Sequence, residues 1–205
     1  MLFRSGKSSL FSVLQERVGD VGQGAVVKFP LKFTTGQMRG RFNPVDGQLY
    51  TSGLKGWQTN GVKDGAIHRV RYTGKSVTMQ ETLHFTTKGI TIGFTGALDK
   101  KSAGDLQNYN IEQYNYLYSS AYGSAEYKVS KPGEKGTEPV AIKSVTVAED
   151  GKSIFLEVPG LKPVEQIRIK MNLKAVDGSR VPDEVAGTIN VVPEKQGEDY
   201  RSLTK

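Results

Sequence analysis

The chain has 205 residues, is 37% hydrophobic, contains 24 glycines and no cysteine, and carries a formal charge of +7. That length suits two small domains, or one with a partial second, and the composition is that of a folded, turn-rich β protein. The missing cysteines exclude disulfides, thiolate zinc sites, Cys nucleophiles and covalent haem attachment within this chain, and no run reaches the roughly 20 apolar residues a membrane-spanning helix needs.

The charge is unevenly spread. Residues 1–75 hold twelve Lys/Arg against four Asp/Glu (+8), and residues 76–205 hold sixteen against seventeen (−1). Such a step predicts two units in different surroundings. The basic residues are interspersed singly through β-patterns, so nucleic acid is not the expected partner.

Taken in order, the N-terminal MLFRSGKSSLFSVLQERV has basic residues but no continuous apolar region, so it does not read as an ordinary signal peptide; complete as written, the chain would stay in the cytoplasm. SSLFSVLQ (Ser8–Gln15) fits a strand or a short helix, Gly19–Gly24 reads as a loop, and Ala25–Pro30 as a strand. Arg39–Asn43 and Gln48–Leu54 flank Asn43-Pro44-Val45-Asp46-Gly47, where Pro44 pre-sets a type I turn and Gly47 can close it with positive φ; the pattern predicts a hairpin. The only tryptophan, Trp57, follows it, then a polar loop and the alternating strand Ile67–Tyr72. About four strands in 75 residues match one blade of a β-propeller, a unit that cannot bury both faces alone.

Thr73–Lys88 reads as a junction. Beyond it Gly89–Phe94, Tyr109–Asn115, Glu126–Ser130, Val140–Ala148, Ser153–Val158, Gln166–Asn172 and Val185–Val192 are expected strands. Asp99–Asp105 is an expected polar turn, and Lys131–Pro139 a charged, Pro/Gly-rich excursion. Seven or so short strands at this spacing predict an immunoglobulin-like sandwich over 76–193, with a polar tail over 194–205. The expected fold class is therefore all-β, a blade-like antiparallel sheet over 1–75 followed by a sandwich.

Candidate chemistry is sparse. Gly6-Lys7-Ser8 lacks the glycine five residues earlier and the preceding strand of a phosphate loop, and Gly19, Gly22 and Gly24 have the wrong spacing for a dinucleotide turn. His68 and His84 sit in β-runs without an acidic pair at metal-ligand spacing, which favours a structural or surface role. No G-x-S-x-G elbow is present, and Asp46 and Asp64 read as turn formers. No catalytic, cofactor or metal residue is assigned.

The unusual feature is aromatic. Six of nine tyrosines, Tyr109, Tyr114, Tyr116, Tyr118, Tyr122 and Tyr127, fall within nineteen residues. On an extended strand Tyr114, Tyr116 and Tyr118 would share one face, and with Asn and Gln neighbours they could stack on sugar rings or grip a partner protein. Packing at a sandwich edge or against the N-terminal unit, with wet hydroxyls, is the other reading. The candidate binding residues are Tyr114, Tyr116, Tyr118, Tyr122, Trp57, Arg39 and Arg41.

The stretch GQMRGRFNPVDGQLYTSGLKGWQTNGVKDGAIHRVRYTGK resembles the last propeller blade of large secreted bacterial membrane-bound-dehydrogenase-like proteins, whose propellers are similar to those of quinone-dependent sugar and sorbosone dehydrogenases. GITIGFTGALDKKSAGDLQNYNIEQYNYLYSSAYGS and SVTVAEDGKSIFLEVPGLKPVEQIRIKMNLKAVDGSRV look like the segment after that propeller and like bacterial Ig-like domains. The resemblance implies a C-terminal piece lacking the blades that carry quinone and catalytic base. It therefore implies a non-catalytic accessory or interaction module without a cofactor of its own, periplasmic or extracellular within a longer protein. Its partners would be the remaining blades or another protein, through residues 1–75. The alternatives are a carbohydrate-binding module using the tyrosines, or a subunit of a quinone-dependent oxidoreductase, in which Lys55–Asp64, Arg39 and Arg41 would face the cofactor.

Overall fold

The computed structural model describes residues 2–4, 7–56, 60–120 and 123–199. It is almost entirely antiparallel β structure, as the composition predicts, and divides into two compact units. The first comprises residues 1–13 and 28–76, the second residues 14–27 and 77–205. The sequence reading places residues 14–27 in the first unit. They group with the second because β3 pairs with one of its strands (below). No helix among the described residues is long and apolar enough to cross a membrane.

In the first unit, β1 (Leu2–Arg4) pairs with the first half of β2 (Ser9–Val18) and lies against β4 (Gly36–Phe42). A three-stranded sheet follows, ordered β4, β5 (Leu49–Leu54) and β6 (Gly65–Val70). No closed propeller forms among the described residues. The β4–β5 hairpin turns where Asn43-Pro44-Val45-Asp46-Gly47 predicts it, with Gly47 at φ +66°. The Asp46 carboxylate accepts the Gln48 N–H (2.9 Å) and the Tyr50 hydroxyl (2.8 Å). The Gln48 bond, first, and the Tyr50 bond, together with the Arg69 charge, outweigh desolvation and hold that carboxyl below its ordinary pKa.

Among the described residues the interior of this unit is largely polar. Gln37, on β4, is fully buried; it accepts the Thr51 hydroxyl (2.5 Å) and donates to the Thr35 carbonyl (2.9 Å). His68 accepts the Thr34 N–H at 3.3 Å and meets Phe33 edge-on. Both ring nitrogens are thus spoken for by neighbouring Thr34 and Gln37, a structural placement.

The second unit is a sandwich. One sheet runs from the second half of β2 through β3 (Val21–Lys28), β14 (Glu184–Ile189), β13 (Val164–Met171) and β9 (Tyr109–Tyr114) to β10 (Glu138–Val140), and β15 (Glu198–Asp199) pairs with β2. The other is ordered β11 (Ser144–Val147), β12 (Ser153–Glu157), β8 (Gly89–Phe94) and β7 (Gln80–Thr86). Alternate residues of every long strand are buried: Leu83 and Phe85, Ile90 and Ile92, Ile154 and Leu156, Ile167, Ile169 and Met171, Val185 and Ile189. Period-two burial on both sheets is the signature of two inner faces packed into one core.

Glu16 of β2 crosses that core as a polar clamp. Its buried carboxylate accepts the Gln23 amide (2.7 Å), the Gly197 N–H (3.1 Å) and the Phe85 N–H (3.4 Å), and meets His84 Nδ1 at 3.1 Å. His84 is thereby structural as well.

Several local expectations change. Gly19–Gly24 is not a loop throughout, because β3 begins at Val21; a Cβ on Gly24 would lie 2.0 Å from the Leu14 carbonyl oxygen, so glycine here serves close strand approach. The junction 73–88 contains β7, whose Leu83 and Phe85 are core. Asp99–Asp105 is a short helix, α1 (Lys100–Gly104), because Asp99 caps it by accepting the Ser102 N–H at 2.8 Å. Glu126–Ser130 forms no strand: Tyr127 makes single bridges to Asn115 and Lys135, and the Glu138 carboxylate accepts the Val129 and Ser130 N–H groups instead of a ladder partner. The expected strand Val140–Ala148 divides into β10 and β11, which belong to different sheets.

Candidate functional site

The tyrosine cluster builds a groove on the sandwich. β9 ends at Tyr114, so Tyr114, Tyr116 and Tyr118 do not lie on one extended strand face, contrary to the alternation read from sequence. The chain instead leaves the sheet and returns. Asn115 and Tyr127 exchange two backbone hydrogen bonds of 2.8 Å, which close the base of the loop. The Asn115 side chain accepts the Glu165 N–H (3.0 Å), Glu165 accepts the Tyr116 N–H (2.5 Å), and Ser124 Oγ accepts the Leu117 N–H (2.9 Å). Every member of the base is tied to the loop itself or to the start of β13.

This leaves a groove of about 550 Å³ lined by Tyr114, Tyr116, Leu117, Tyr118, Glu126 and Gln166, with Ser119, Gly123, Ser124 and Ala125. Tyr116 and Leu117 are about half exposed and Tyr118 is fully exposed. Tyr114 is the fixed ring. Its hydroxyl accepts from Arg168 at 3.3 Å, and the guanidinium sits 5.4 Å from the ring centroid. Arg168 is also approached by Glu112 and Glu126 at 3.5 Å and Glu184 at 3.9 Å. Desolvation, the largest influence on that guanidinium, would lower its pKa; Tyr114 and the three carboxylates together outweigh it and raise the value, so Arg168 is a permanent cation.

The chemistry of the groove is therefore aromatic faces beside a carboxylate and an amide. No hydrogen bond to the Gln166 side chain occurs among the described residues, and the Glu126 carboxylate keeps lone pairs beyond its contact with Arg168. Gln166 and Glu126 are groove residues that sequence reasoning missed, as it missed Arg168, which holds Tyr114 and Glu126. β13 pairs antiparallel with β9 so that Gln166 stands directly beside Tyr114, a juxtaposition no local motif signals.

The other sequence candidates lie elsewhere. Arg39 and Arg41 are on β4 in the first unit, exposed, and donate to the neighbouring carbonyls of Met38 (3.0 Å) and Gly40 (2.8 Å). Trp57 and Tyr122 lie outside the described residues. Among the described residues no group of three or more His, Asp or Glu side chains is placed to hold a metal ion. No protein-family model, curated protein or solved structure matches the chain.

Proposed function

We propose that the chain is a non-catalytic binding module whose sandwich presents the tyrosine groove to a neutral saccharide. The observation that carries this is the placement of the exposed Tyr116 and Tyr118 rings beside the Gln166 amide in a groove of about 550 Å³. Pyranose rings offer an apolar C–H face that stacks on aromatic rings and an equatorial rim of hydroxyls that amides and carboxylates bind. Glu126 at the wall favours neutral over uronic or sulfated sugars, because a second anion beside it would be repelled. The resemblance noted above bears only on the non-catalytic, accessory part of this reading, as a piece of a larger secreted dehydrogenase-like protein; the saccharide rests on the tyrosines.

The test is gel retardation of the intact chain in hydroxyethyl cellulose. Retardation that falls at least about fivefold in Tyr118→Ala and Tyr116→Ala, with unchanged melting temperature, supports the proposal; a fivefold loss is the scale of a single stacking contact of about 1 kcal/mol. Unretarded wild type, or variants retarded like wild type, overturns it.

A second reading, docking of further β structure on the first unit, is favoured by a separate observation. Phe42 is 59% exposed and Tyr72 77% exposed at an apolar groove of about 550 Å³ also lined by Leu10, Phe29, Leu49 and Val70. A unit that leaves such side chains at its surface has an interface to fill. Light scattering on the intact chain tests the simplest form, a second copy: concentration-dependent association abolished by Phe42→Ser supports it, and a monomer at all concentrations rejects self-association.

A further inference from the structure

We infer that the outer face of the three-stranded sheet β4–β5–β6 binds single-stranded nucleic acid, with Tyr50 as the stacking platform and Arg39, Arg41 and Arg69 as the phosphate contacts. The register makes this face. Arg41 pairs with Tyr50 and Tyr50 with Arg69; in the next row but one along the strands, Arg39 pairs with Ser52 and Ser52 with Ile67. Directly opposed residues of neighbouring strands point to the same side, and so do residues two apart on one strand. All six side chains therefore project from one surface.

Strand spacing of about 4.8 Å sets Arg41 and Arg69 roughly 10 Å apart across Tyr50, and a rise of about 3.4 Å per residue sets Arg39 roughly 7 Å from Arg41. The result is an aromatic residue on the central strand, bracketed by cations on both outer strands, with the small Ser52 leaving room beside it.

These cations are available. Arg39, Arg41 and Arg69 are exposed. Among the described residues none of them forms an ion pair, and Arg39 and Arg41 spend one N–H each on the carbonyl next to them. Asp46 is near enough to Arg69 for the cation to lower its pKa, as a minor cause beside the Gln48 N–H. The whole unit holds eleven Lys/Arg against two Asp/Glu, a net of +9. Read along the chain the arginines look scattered; folded, three of them share one face.

Charge alone would suit any polyanion. The second term is apolar and flat: Tyr50 lies half-buried with its hydroxyl held by Asp46 at 2.8 Å, and Ile67, two rows away on the same face, is 79% exposed. A ring fixed at its far end between cations is how sequence-tolerant single-strand binders hold a base while tracking the backbone, and base stacking gives such sites a dependence on the ring that a sulfated polysaccharide or an anionic membrane does not have. That dependence commits the occupant to nucleic acid.

The experiment is fluorescence anisotropy of a labelled twelve-nucleotide oligothymidylate titrated with the intact chain, from 20 to 200 mM salt. Three phosphate contacts predict a slope of log affinity against log salt near −2, about −0.7 per contact on a single strand. Arg39→Gln, Arg41→Gln and Arg69→Gln together should flatten that slope and weaken binding at low salt at least about tenfold, while the triple Lys variant keeps the slope. Tyr50→Leu should weaken the oligonucleotide about tenfold, and Tyr50→Phe, which loses only the bond to Asp46, should bind like wild type. Melting curves show that each variant is folded.

Absence of binding at 20 mM salt overturns the proposal, as does undiminished affinity of the triple Gln variant. Equal weakening of oligonucleotide and heparin in the Gln variant, with no effect of Tyr50→Leu on either, assigns the face to sulfated polymers instead and also overturns it. Preferential binding of phosphatidylserine vesicles over the oligonucleotide overturns it in favour of a membrane surface.

Discussion

The two units solve the same problem with different means. The sandwich buries a long run of large aliphatic and aromatic side chains, Phe85, Ile90, Ile92, Ile154, Leu156, Ile167, Ile169 and Ile189 among them, all essentially inaccessible. Among the described residues of the first unit the buried hydrophobic side chains are Leu10 and Leu49, and the buried polar ones are Ser8, Ser9, Thr35, Gln37 and Thr51. Hydrophobic burial scales with area removed from water, about 25 cal/mol per Å², so the sandwich has the larger driving force per residue. A hydrogen-bonded polar interior adds only about 1 kcal/mol per bond, yet costs more than that when one partner is lost. The comparison teaches that here, among the described residues, the large buried apolar core lies in one unit and the hydrogen-bonded polar interior in the other. The sandwich core supports the well-anchored tyrosine groove, and the first unit leaves Phe42, Ile67 and Tyr72 outward.

The largest expected effect sharpens that contrast. Phe85→Ala, in the sandwich core, should destabilise the chain by about 3–5 kcal/mol, and Phe42→Ala, at an exposed ring, by less than about 1 kcal/mol, in denaturant unfolding. Similar costs for the two would show that the first unit also depends on a well-packed apolar interior.

Next comes the clamp between the sandwich sheets. Glu16→Ala removes an acceptor shared by Gln23, Phe85 and Gly197 and should cost about 3 kcal/mol. Hydrogen exchange should show the loss at β7 and β15 first; a change below about 1 kcal/mol would mean the clamp is dispensable.

In the first unit, Gln37→Ala leaves the Thr51 hydroxyl without its acceptor and should cost about 1–3 kcal/mol, read as faster exchange across β4–β6 with β8 and β12 unaffected. Faster exchange in both units together would show that they unfold as one.

The smallest effect is pH-dependent. The Tyr109 hydroxyl is buried and donates to the Ala103 carbonyl at 2.6 Å. Burial first, and the Asp105 charge second, raise its pKa above the ordinary value. A raised value means that its stabilisation is fully present below the unfolded pKa of about 10 and is lost as pH rises toward the folded one. Tyr109→Phe should therefore cost about 1 kcal/mol at neutral pH, and the gap to wild type should narrow above about pH 10. A gap constant with pH would show that the hydroxyl ionises equally in both states.

Much of this fold is legible locally. Asn43-Pro44-Val45-Asp46-Gly47 specifies the β4–β5 turn through Pro φ and Gly47, GITIGF gives β8 residue for residue, and QIRIKMN marks the core of β13. What is not legible depends on pairing between distant segments. QETLHFT lies in a stretch rich in threonine and lysine and becomes β7 only because β8 offers it a ladder. Gly22 and Gly24 signal a loop by composition, whereas both lie in β3 and Gly24 sits where β2 and β3 press together. The groove divides the same way. Tyr116 and Tyr118 stand out in the sequence as clustered aromatics, but Gln166 and Glu126 join them, and Arg168 reaches Tyr114, only through the register of β13 on β9 and the fold-back at Tyr127. Arg69 is another case, placed beside Tyr50 by a register that no motif encodes.

The most direct test of the account is a nuclear magnetic resonance titration of the intact, isotope-labelled chain with cellohexaose. Saturable shifts at the amides of Tyr116, Leu117 and Gln166, with β4–β6 unmoved and with the shifts abolished in Tyr116→Ala/Tyr118→Ala, are the predicted result. No shifts at millimolar sugar, or shifts confined to β4–β6, would contradict the assignment of the tyrosine groove as the saccharide site.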